Sequence, residues 1–193
     1  MFHMKQLDSK TFKILENYAK ILFKWNEKIN LTSYEKKTLF NEAFFDCVVL
    51  AELLNQLKIN QFVDLGSGNG IPGLIVKIIN NRFDATLIDG SQKKIAFLEY
   101  LSRILDINVS IYQARLPDKR LNLVTNCVIS KASMQECRLL KVAKTILAIG
   151  GWLIYFAGEV ELIEDDKLEL KGVLQYKRPD NSTSRIIVRK RIC

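Results

Sequence analysis

Three glycines stand at alternate positions within residues 63–73, whose sequence is VDLGSGNGIPG. Gly66, Gly68 and Gly70 carry no side chain, so the backbone can turn sharply and approach a ligand closely at these points. The segment lies between a short apolar strand pattern and a helical pattern. A glycine-rich loop at the carboxyl end of a parallel strand is a common nucleotide-binding position. The sequence therefore predicts a nucleotide-binding loop here.

The spacing of these glycines discriminates between two classes of nucleotide. The dinucleotide fingerprint is G-x-G-x-x-G, but the position five after Gly66 is Ile71, and the third glycine comes one residue earlier, at Gly70. An NAD-binding oxidoreductase is therefore the least favoured alternative. The pattern D-x-G-x-G-x-G is instead similar to the first motif of Rossmann-like methyltransferases, in which the acidic residue, here Asp64, helps to place the methionine end of S-adenosylmethionine. We predict that Ser67 and Ile71 belong to the same cofactor site.

A second acidic residue, Asp89, ends the next predicted strand, 23 residues after Gly66. At this spacing a carboxylate can accept hydrogen bonds from the two hydroxyls of a ribose. Asp89 therefore supports a ribose-containing cofactor, but it does not choose between NAD and S-adenosylmethionine.

Histidine and cysteine chemistry is largely excluded. The one histidine, His3, stands near the start of the sequence, so Ser-His-Asp, Cys-His and histidine-metal sites have no residue to build them. The four cysteines are far apart and include no C-x-x-C pair, which favours buried free thiols over a disulfide framework or a zinc site. They are Cys47, Cys127, Cys137 and Cys193. No metal site is predicted.

Length, composition and charge restrict the remaining classes of protein. The chain has 193 residues, of which 48% are hydrophobic, and this suits one α/β domain with a short extension. The net charge of +8 favours a polyanionic partner, although a basic enzyme without such a partner is equally compatible. The sequence has no basic-then-apolar leader and no apolar stretch of about twenty residues. We therefore predict a soluble cytoplasmic protein without a membrane partner. We also predict, separately, that it is a monomer.

Hydrophobic periodicity predicts the elements that position these residues. Apolar residues recur at helical spacing over residues 9–29 and 39–57, which predicts an N-terminal helical cap within residues 1–60. Residues 61–193 alternate strand and helix patterns, which predicts a mostly parallel sheet covered by helices. The predicted strands are 62–65, 85–89, 109–112, 124–129 and 152–156; the predicted helices start at Pro72, at Ser91 as N-cap, and cover 134–148.

The C-terminal part of the sequence has a different pattern. Turn-forming residues at 179–182 separate two strand patterns, 173–177 and 185–191, which predicts an antiparallel hairpin that closes the sheet. The predicted fold is therefore α/β, a Rossmann-like class I methyltransferase core with an N-terminal helical cap.

Segments from both parts of the chain carry a family resemblance. In the cap, residues 24–26 read KWN, residues 30–33 read NLTS, and Asp46 follows. In the core, the glycine loop ends in a Pro-Gly that general methyltransferases usually lack, and residues 130–132 read SKA. Together these segments resemble the RsmG/GidB family of small-subunit rRNA guanine-N7 methyltransferases, over nearly the whole chain. The family pattern has W-N-x-x-x-N-L-T, an aspartate, G-x-G-x-G-x-P-G and Ser-Arg-Ala at these places.

The resemblance implies a cofactor, a reaction and several site residues. S-adenosylmethionine would donate a methyl group to N7 of a guanine in 16S rRNA, either as RNA or within the small ribosomal subunit. The backbone of residues 114–117 would hold the adenine, which adds Leu116 and Pro117 to the cofactor site, and Lys131 would lie beside both cofactor and substrate. The residues expected to contact RNA are Lys93, Lys94, Arg115 and Arg185, with further phosphate contacts from Lys24, Lys28, Arg189 and Arg191.

The implied reaction needs no catalytic acid or base. The N7 lone pair of guanine lies in the ring plane and carries no proton, so methyl transfer depends on positioning the reactants in line. The chain departs from the family pattern at Glu42 and Ala43, which replace Arg-His, at Lys131, which replaces arginine, and at Ala157, which replaces lysine. Two alternatives therefore stay open: a methyltransferase-fold protein that acts on another acceptor, and a weakened protein that binds rRNA or the ribosome.

Overall fold

One mixed sheet forms the centre of the computed structural model, which describes residues 7–115, 117–118, 123–158 and 161–193. Its strands are β1 (Gln61–Leu65), β2 (Asp84–Asp89), β3 (Ser110–Gln113), β4 (Thr125–Lys131), β5 (Leu147–Phe156), β6 (Leu168–Lys177) and β7 (Thr183–Arg191). Their order in the sheet is β3-β2-β1-β4-β5-β7-β6. The first five strands are parallel to one another, and β7 is antiparallel to both β5 and β6. The predicted mostly parallel sheet and C-terminal hairpin are confirmed.

The strand order reverses beside β1. The chain builds outward from β1 to β2 and β3, and then returns to place β4 on the other side of β1. In open α/β sheets the loops that leave the carboxyl ends of the strands diverge at such a reversal and leave a crevice between them. The glycine loop leaves β1 at this point, and residues 132–135 leave β4 beside it. The topology therefore places the predicted cofactor loop at the mouth of the crevice.

The N-terminal cap begins with helix α1 (Ser9–Ile29), whose bounds agree with the predicted helix. Asp8 starts α1, because its carboxylate accepts a hydrogen bond from the Thr11 amide at 2.7 Å. Asn30 ends the helix in the left-handed conformation, with a φ of 42°. The inner face of α1 buries four residues, which are Leu15, Tyr18, Ala19 and Leu22.

The second part of the cap differs from the single helix predicted over residues 39–57. It consists, in order, of a short helix α2 (Lys36–Thr38), a π-helix (Leu39–Phe44) and α3 (Phe45–Gln56). In a π-helix residue i+5 lies below residue i, so Leu39 and Phe44 share one face, and both are buried. The period of 3.6 residues on which the prediction relied does not bring these two positions together. The predicted helical segment is therefore confirmed, since residues 36–56 are helical without a break, but residues 39–44 have the wider turn of a π-helix, which the sequence pattern did not predict.

The helices of the core lie near their predicted positions and are α4 (Gly73–Ile79), α5 (Gln92–Ile104) and α6 (Glu136–Ile146). Pro72 is the N-cap of α4 rather than its first residue. Ser91 is the N-cap of α5 as predicted, but its side chain makes no capping hydrogen bond. The Ser91 amide instead donates to the Asp89 carboxylate at 2.8 Å, so the acidic strand end stabilises the start of the helix.

The boundary between α6 and β5 lies earlier than predicted. The sequence pattern extended the helix to residue 148 and began the strand at 152, whereas α6 ends at Ile146 and β5 begins at Leu147. Gly150 and Gly151 lie inside β5, where glycine is unfavourable and weakens a strand pattern. The register between β4 and β5 shifts between Thr125 and Cys127, which accommodates this irregular segment.

Two apolar clusters cover the two faces of the sheet. One includes Phe62 of β1 and contains the buried residues of α1, α3, α4 and α5, so the cap and the core share it. The other includes Val63 of β1 and is built around α6. Because successive strand residues point to opposite faces, this alternation shows that the sheet is covered on both sides. No helix within the described residues is long and apolar enough to cross a bilayer.

The prediction of buried thiols is half correct. Cys47 and Cys127 are buried, and burial raises the pKa of both thiols. Cys137 and Cys193 are exposed, and all four thiols are free. Cys137 occupies the outer face of α6, since its neighbours Leu139 and Leu140 take the inner face.

Candidate active site

The glycine loop is held by the buried carboxylate of Asp64, which lies on β1. Asp64 Oδ2 accepts a hydrogen bond from the Gly73 amide at 3.0 Å, which connects the end of β1 to the start of α4. The hydroxyl of Ser67 donates to the Asp64 carbonyl and accepts from the Ile88 amide, both at 3.0 Å. These hydrogen bonds attach the loop to both β1 and β2.

Asp64 also carries an unused acceptor inside the loop. Its Oδ1 is buried and has no hydrogen-bond partner within the described residues. Burial raises the pKa of Asp64 to about 7, although the Gly73 amide acts in the opposite direction. An unpaired buried acceptor is costly unless a ligand supplies a donor. A cationic amine, such as the one at the methionine end of S-adenosylmethionine, has the charge and the donors to satisfy it.

Asp89, at the end of β2, also binds the glycine loop. Its Oδ2 accepts from the Gly68 amide at 2.9 Å, while its Oδ1 accepts from Ser91. A cleft of about 380 Å³ lies beside it. The residues that line this cleft come from the ends of β1, β2, β3 and β4 and include Gly66, Asp89, Gly90, Ala114, Arg115, Ser133 and Met134. The cleft therefore offers a carboxylate, a glycine cradle and exposed backbone to an adenosine-sized ligand.

The glycines of the loop meet two different structural demands. Gly66, Gly68 and Gly70 have positive φ angles of 73°, 57° and 94°, a region that disfavours other residues. At Gly66 a Cβ atom would lie only 2.3 Å from the Cβ of Ser133. The first glycine is thus needed both for its backbone angle and for the close approach of the loop that follows β4.

Gly73→Ala is expected to destabilise the protein by about 1–3 kcal/mol through overpacking. Its new methyl group would lie 2.5 Å from Asp64 Oδ2 and 2.6 Å from Leu87 Cδ2, both buried. The midpoint of thermal unfolding is expected to fall by about 5 °C. Gly172→Ala on β6 is the matched control, because a Cβ there meets nothing within 4 Å. Equal midpoints for the two variants would show that the space around Gly73 is not limiting.

A tyrosine from the cap contacts the loop from the other side. The Tyr18 hydroxyl, on α1, donates to the Asn69 carbonyl at 2.6 Å. The ring is buried, and burial raises the pKa of Tyr18 well above its ordinary value. The sequence pattern placed Tyr18 on the apolar face of α1 but gave no indication of its hydrogen bond, which joins residues 51 positions apart.

Asp46 of α3 is the centre of a buried ionic cluster between the cap and the core. Its Oδ2 accepts from Lys131 Nζ at 2.6 Å and from Arg178 Nη2 at 2.7 Å. Its Oδ1 accepts from the Tyr176 hydroxyl at 2.7 Å and from Arg178 Nε at 2.8 Å. Burial would raise the pKa of Asp46, but Arg178 and Lys131 outweigh burial and hold that pKa below its ordinary value. One carboxylate therefore connects α3, β4 and the C-terminal hairpin.

Lys131 is positioned within this cluster rather than free in the cleft. Only 11% of its side chain is exposed. Its ammonium lies 4.9 Å from the ring centre of Phe156 and 5.8 Å from that of Tyr34. Burial disfavours the charged form, but Asp46 more than compensates and raises the pKa of Lys131. Lys131 therefore lies at the end of β4 beside two aromatic rings, and its charge is paired with Asp46.

The predicted RNA-contacting residues occupy different settings. Lys93 is exposed at the start of α5, as are Lys24 and Lys28 on α1. Lys94 Nζ lies 3.9 Å from the position of a Cβ on Gly68, and Arg115 packs against Gly90. Arg185 donates to the Gly158 carbonyl at 3.0 Å. Lys94 and Arg115 line the cofactor cleft, so these two lie at its rim.

Two other residues that were predicted to contact RNA phosphates, Arg189 and Arg191, bind groups of the protein itself. Arg189 is 2% exposed and pairs with Glu136, so its prediction as an RNA contact was wrong. Arg189 lies in a run of four buried residues of β7, and its guanidinium donates to Glu136 and to the carbonyls of Leu168 and Ile163. Arg191 donates to the carbonyls of Leu147 and Cys193. Of the predicted adenine segment, Pro117 is exposed, while Leu116 lies outside the described residues.

A second, smaller cleft of about 170 Å³ adjoins the first. The two clefts share Ser133 and Met134 in the segment after β4. Ser130 and Ser133 lie 2.6 Å apart through their hydroxyls at this junction. The other residues that line the second cleft include Ala132, Glu136, Tyr155, Phe156, Ala157 and Gly158. Ala157, one of the departures from the family pattern, therefore lies beside the second cleft, whereas Glu42 and Ala43 belong to the π-helix of the cap.

The sequence is similar to known proteins along most of its length. The family model described as rRNA small subunit methyltransferase G matches residues 11–190. The protein named ribosomal RNA small subunit methyltransferase G of Streptococcus pneumoniae serotype 4 is 33% identical over 168 residues, which cover 82% of this chain and 69% of the relative. The protein of the same name from Streptococcus thermophilus is 32% identical over 191 residues, which cover 90% and 80%.

Solved structures of low sequence identity share the fold. A putative class I S-adenosylmethionine-dependent methyltransferase from Listeria monocytogenes matches with a TM-score of 0.63 at 11% identity, covering 100% of this chain and 71% of that one. TrmN from Thermus thermophilus matches with a TM-score of 0.58 at 13% identity, covering 76% and 49%. These matches agree with the predicted Rossmann-like methyltransferase architecture.

Proposed function

The chain belongs to the rRNA small subunit methyltransferase G family, and from this premise we propose that it methylates N7 of a guanine in small-subunit ribosomal RNA, with S-adenosylmethionine as the methyl donor. The observation that carries the proposal is the cleft at the switch point of the sheet, which is lined by Gly66 of the glycine loop and by Asp89. The buried, unpaired oxygen of Asp64 at the base of the same loop supports it. The loop spacing disfavours a dinucleotide, and the basic rim favours an RNA substrate.

The residues of the chain contribute binding and positioning to this reaction. S-adenosylmethionine supplies, when bound, an electrophilic methyl group on a positive sulfonium. We propose that Asp64 accepts from its amine and that Asp89 accepts from its ribose. The remaining cofactor-binding positions in the proposal are Gly66, Ser67, Gly68, Gly70, Ile71, Leu116, Pro117 and Lys131. No side chain has to remove a proton, because guanine N7 carries none.

The RNA side of the proposal relies on basic residues around the cleft. Lys93, Lys94, Arg115 and Arg185 are proposed to contact RNA, with Lys24 and Lys28 of α1 as further phosphate contacts. Lys94 and Arg115 line the cofactor cleft, and Lys24, Lys28 and Lys93 are exposed. Phosphate contacts of this kind fix the orientation of the RNA and do not read its sequence.

We also propose the organisation and setting in which the enzyme works. Residues 1–60 would act as a cap on a methyltransferase core of residues 61–193. The protein would act as a monomer in the cytoplasm, where it meets rRNA or the small ribosomal subunit.

Nucleoside analysis tests the proposed reaction directly. Small-subunit rRNA from cells with the protein is expected to contain one more 7-methylguanosine than rRNA from cells that lack it, measured by mass spectrometry of digested RNA. Purified protein with labelled S-adenosylmethionine is expected to restore this nucleoside, and Gly66→Ala, whose Cβ would clash with Ser133, is the inactive control.

Other outcomes of the same experiment identify the alternatives. Label in another nucleoside, in protein or in a small molecule would contradict guanine N7 as the acceptor. Binding to rRNA without any methyl transfer would identify a weakened binding protein. A thermal shift with NADH and none with S-adenosylhomocysteine would contradict the cofactor.

A further inference from the structure

Glu136, at the start of α6, is a rigidly held carboxylate that the reaction so far leaves without a role. Its Oε1 accepts from the Tyr155 hydroxyl and, at 3.1 Å, from Arg189 Nη2. Arg189 is itself fixed by the carbonyls of Leu168 at 3.1 Å and Ile163 at 2.6 Å. Two donors on one oxygen, one of them charged, hold the carboxylate in a single orientation.

The other oxygen of this carboxylate remains available. Glu136 Oε2 accepts no hydrogen bond from the described part of the chain, and the side chain is 14% exposed. Glu136 lines the second cleft, which shares the wall residues Ser133 and Met134 with the cofactor cleft. The guanidinium of Arg189 balances the charge of Glu136, so a neutral ligand can approach the carboxylate without leaving an uncompensated charge.

The walls of the second cleft are suited to a flat, uncharged ring. Phe156 contributes an aromatic side chain, and its ring is also the one that lies beside the Lys131 ammonium. Met134 and Leu139 contribute apolar surface, and the hydroxyls of Ser130 and Ser133 lie at the junction with the cofactor cleft. Unstacked RNA bases are commonly bound in this way, between apolar or aromatic side chains and polar groups that face their edges.

Guanine matches a fixed carboxylate better than the other RNA bases do. Its Watson–Crick edge presents two adjacent N–H donors, N1–H and the N2 amino group, and an ionised carboxylate is an acceptor only. Adenine, cytosine and uracil each place a ring acceptor or a carbonyl oxygen beside their donor, which a carboxylate repels. Guanine N7 lies on the opposite side of the base from this edge, so both can be engaged at once.

We propose that the second cleft holds the target guanine and that Glu136 determines specificity by accepting hydrogen bonds from its Watson–Crick edge. This proposal rests on the proposed function, because it requires a guanine as the methyl acceptor. The proposal requires N7, on the other side of the base, to face Ser133 and Met134, the residues that the second cleft shares with the cofactor cleft. Glu136 therefore reads the base, while the cofactor site supplies the methyl group.

The test compares guanosine with inosine at the methylated position, since inosine lacks only the N2 amino group. The position is first mapped by chemical cleavage at 7-methylguanosine, and the substrate is RNA or small subunit, whichever the wild-type enzyme methylates. Wild-type enzyme is expected to lose about tenfold to a hundredfold in kcat/KM on inosine, the effect of one hydrogen bond to a charged group. Glu136→Gln is expected to have a kcat/KM on guanosine that is lower than that of wild type by a similar factor. Replacing guanosine with inosine is expected to lower the kcat/KM of this variant by less than a further threefold.

A second variant separates recognition from folding. Tyr155→Phe removes a hydrogen bond to Oε1 but leaves Oε2 intact, so it is expected to lower stability and yet retain the wild-type preference for guanosine over inosine. Glu136→Gln is expected to bind S-adenosylhomocysteine with unchanged affinity, because the cofactor cleft does not include Glu136. Glu99→Gln, on the exposed surface of α5, controls for loss of charge.

The outcomes for the two proposals are distinct. If wild-type enzyme forms no 7-methylguanosine in any RNA, the proposed function is wrong and this inference falls with it. If wild-type enzyme forms it, but inosine costs wild-type and Glu136→Gln the same factor, only the role of Glu136 is overturned. A Tyr155→Phe enzyme that loses its preference for guanosine would also overturn it, since discrimination would then follow general disruption of the cluster.

Discussion

Asp46→Asn is expected to destabilise the protein by about 3–5 kcal/mol, the usual cost of removing one partner from a buried ion pair. The substitution leaves Lys131 and Arg178 close together with no anion between them, and the side chain of Asp46 is fully buried. The midpoint of thermal unfolding at pH 7 is expected to fall by about 10 °C. Glu169→Gln, in the exposed pair with Lys171, is expected to change stability by less than 1 kcal/mol.

Two further measurements show whether the loss of stability in Asp46→Asn comes from the missing charge. Because the pKa of Asp46 is depressed in the folded state, its contribution is present above the unfolded pKa near 4 and is lost as the pH falls through the folded value. The difference between wild type and Asp46→Asn is therefore expected to shrink under acidic conditions. Adding Lys131→Met to Asp46→Asn removes one stranded cation and is expected to recover part of the stability. A double variant less stable than Asp46→Asn would contradict this account.

The cofactor loop could be predicted because its determinants are local. Glycine spacing, the acid at the end of β1 and the acid at the end of β2 are all properties of short segments, and the structure brings Asp64, Gly68 and Asp89 together. The parallel order of the sheet followed from the alternation of strands and helices. Both predictions depend on residues that are close in sequence or on the spacing of apolar residues within one segment.

The ionic cluster could not be predicted because its members are far apart. Arg178 and Tyr176 lie 132 and 130 positions from Asp46, and neither belongs to a recognisable motif. Arg178 supplies a second cation to Asp46 beside Lys131. Hydrogen bonds between such distant residues depend on the assembled topology, and no local pattern reports them.

The prediction that Arg189 contacts RNA was wrong because the sequence did not indicate that this charged residue is buried. Arg189 lies in a segment rich in basic residues, which resembles an RNA-binding surface when it is read as a sequence. In β7, however, side chains alternate between faces, and the partners of Arg189 are Glu136 and Tyr155 from distant elements. The residue predicted to bind RNA instead positions the carboxylate that we propose reads the substrate base.

Cofactor affinity is expected to depend on pH through Asp64. Burial raises the pKa of this carboxylate to about 7, so a proton must leave before a cationic amine can pair with it below pH 7. The dissociation constant of S-adenosylhomocysteine, which carries the same amine, is expected to rise about tenfold for each pH unit below 7. Isothermal titration calorimetry between pH 5.5 and 8.5 measures this dependence, and equal dissociation constants at pH 6 and pH 8 would contradict it.

Asp64→Asn is expected to remove this pH dependence and to weaken binding at pH 8 by more than tenfold, because the amine loses its anionic partner.

The raised pKa of Asp64 also makes the folded protein less stable at neutral pH than at acidic pH. In the unfolded chain Asp64 ionises near pH 4, whereas in the folded protein it ionises near pH 7, so the stability of wild type falls as the pH rises between these values. Asp64→Asn lacks this loss, and its unfolding midpoint is expected to decline less from pH 5 to pH 8. Asp84→Asn, at the exposed start of β2, is the matched control and is expected to follow wild type in both measurements. A carboxylate that destabilises the empty protein and strengthens binding of a cation is the behaviour expected of a ligand-binding residue rather than a structural one.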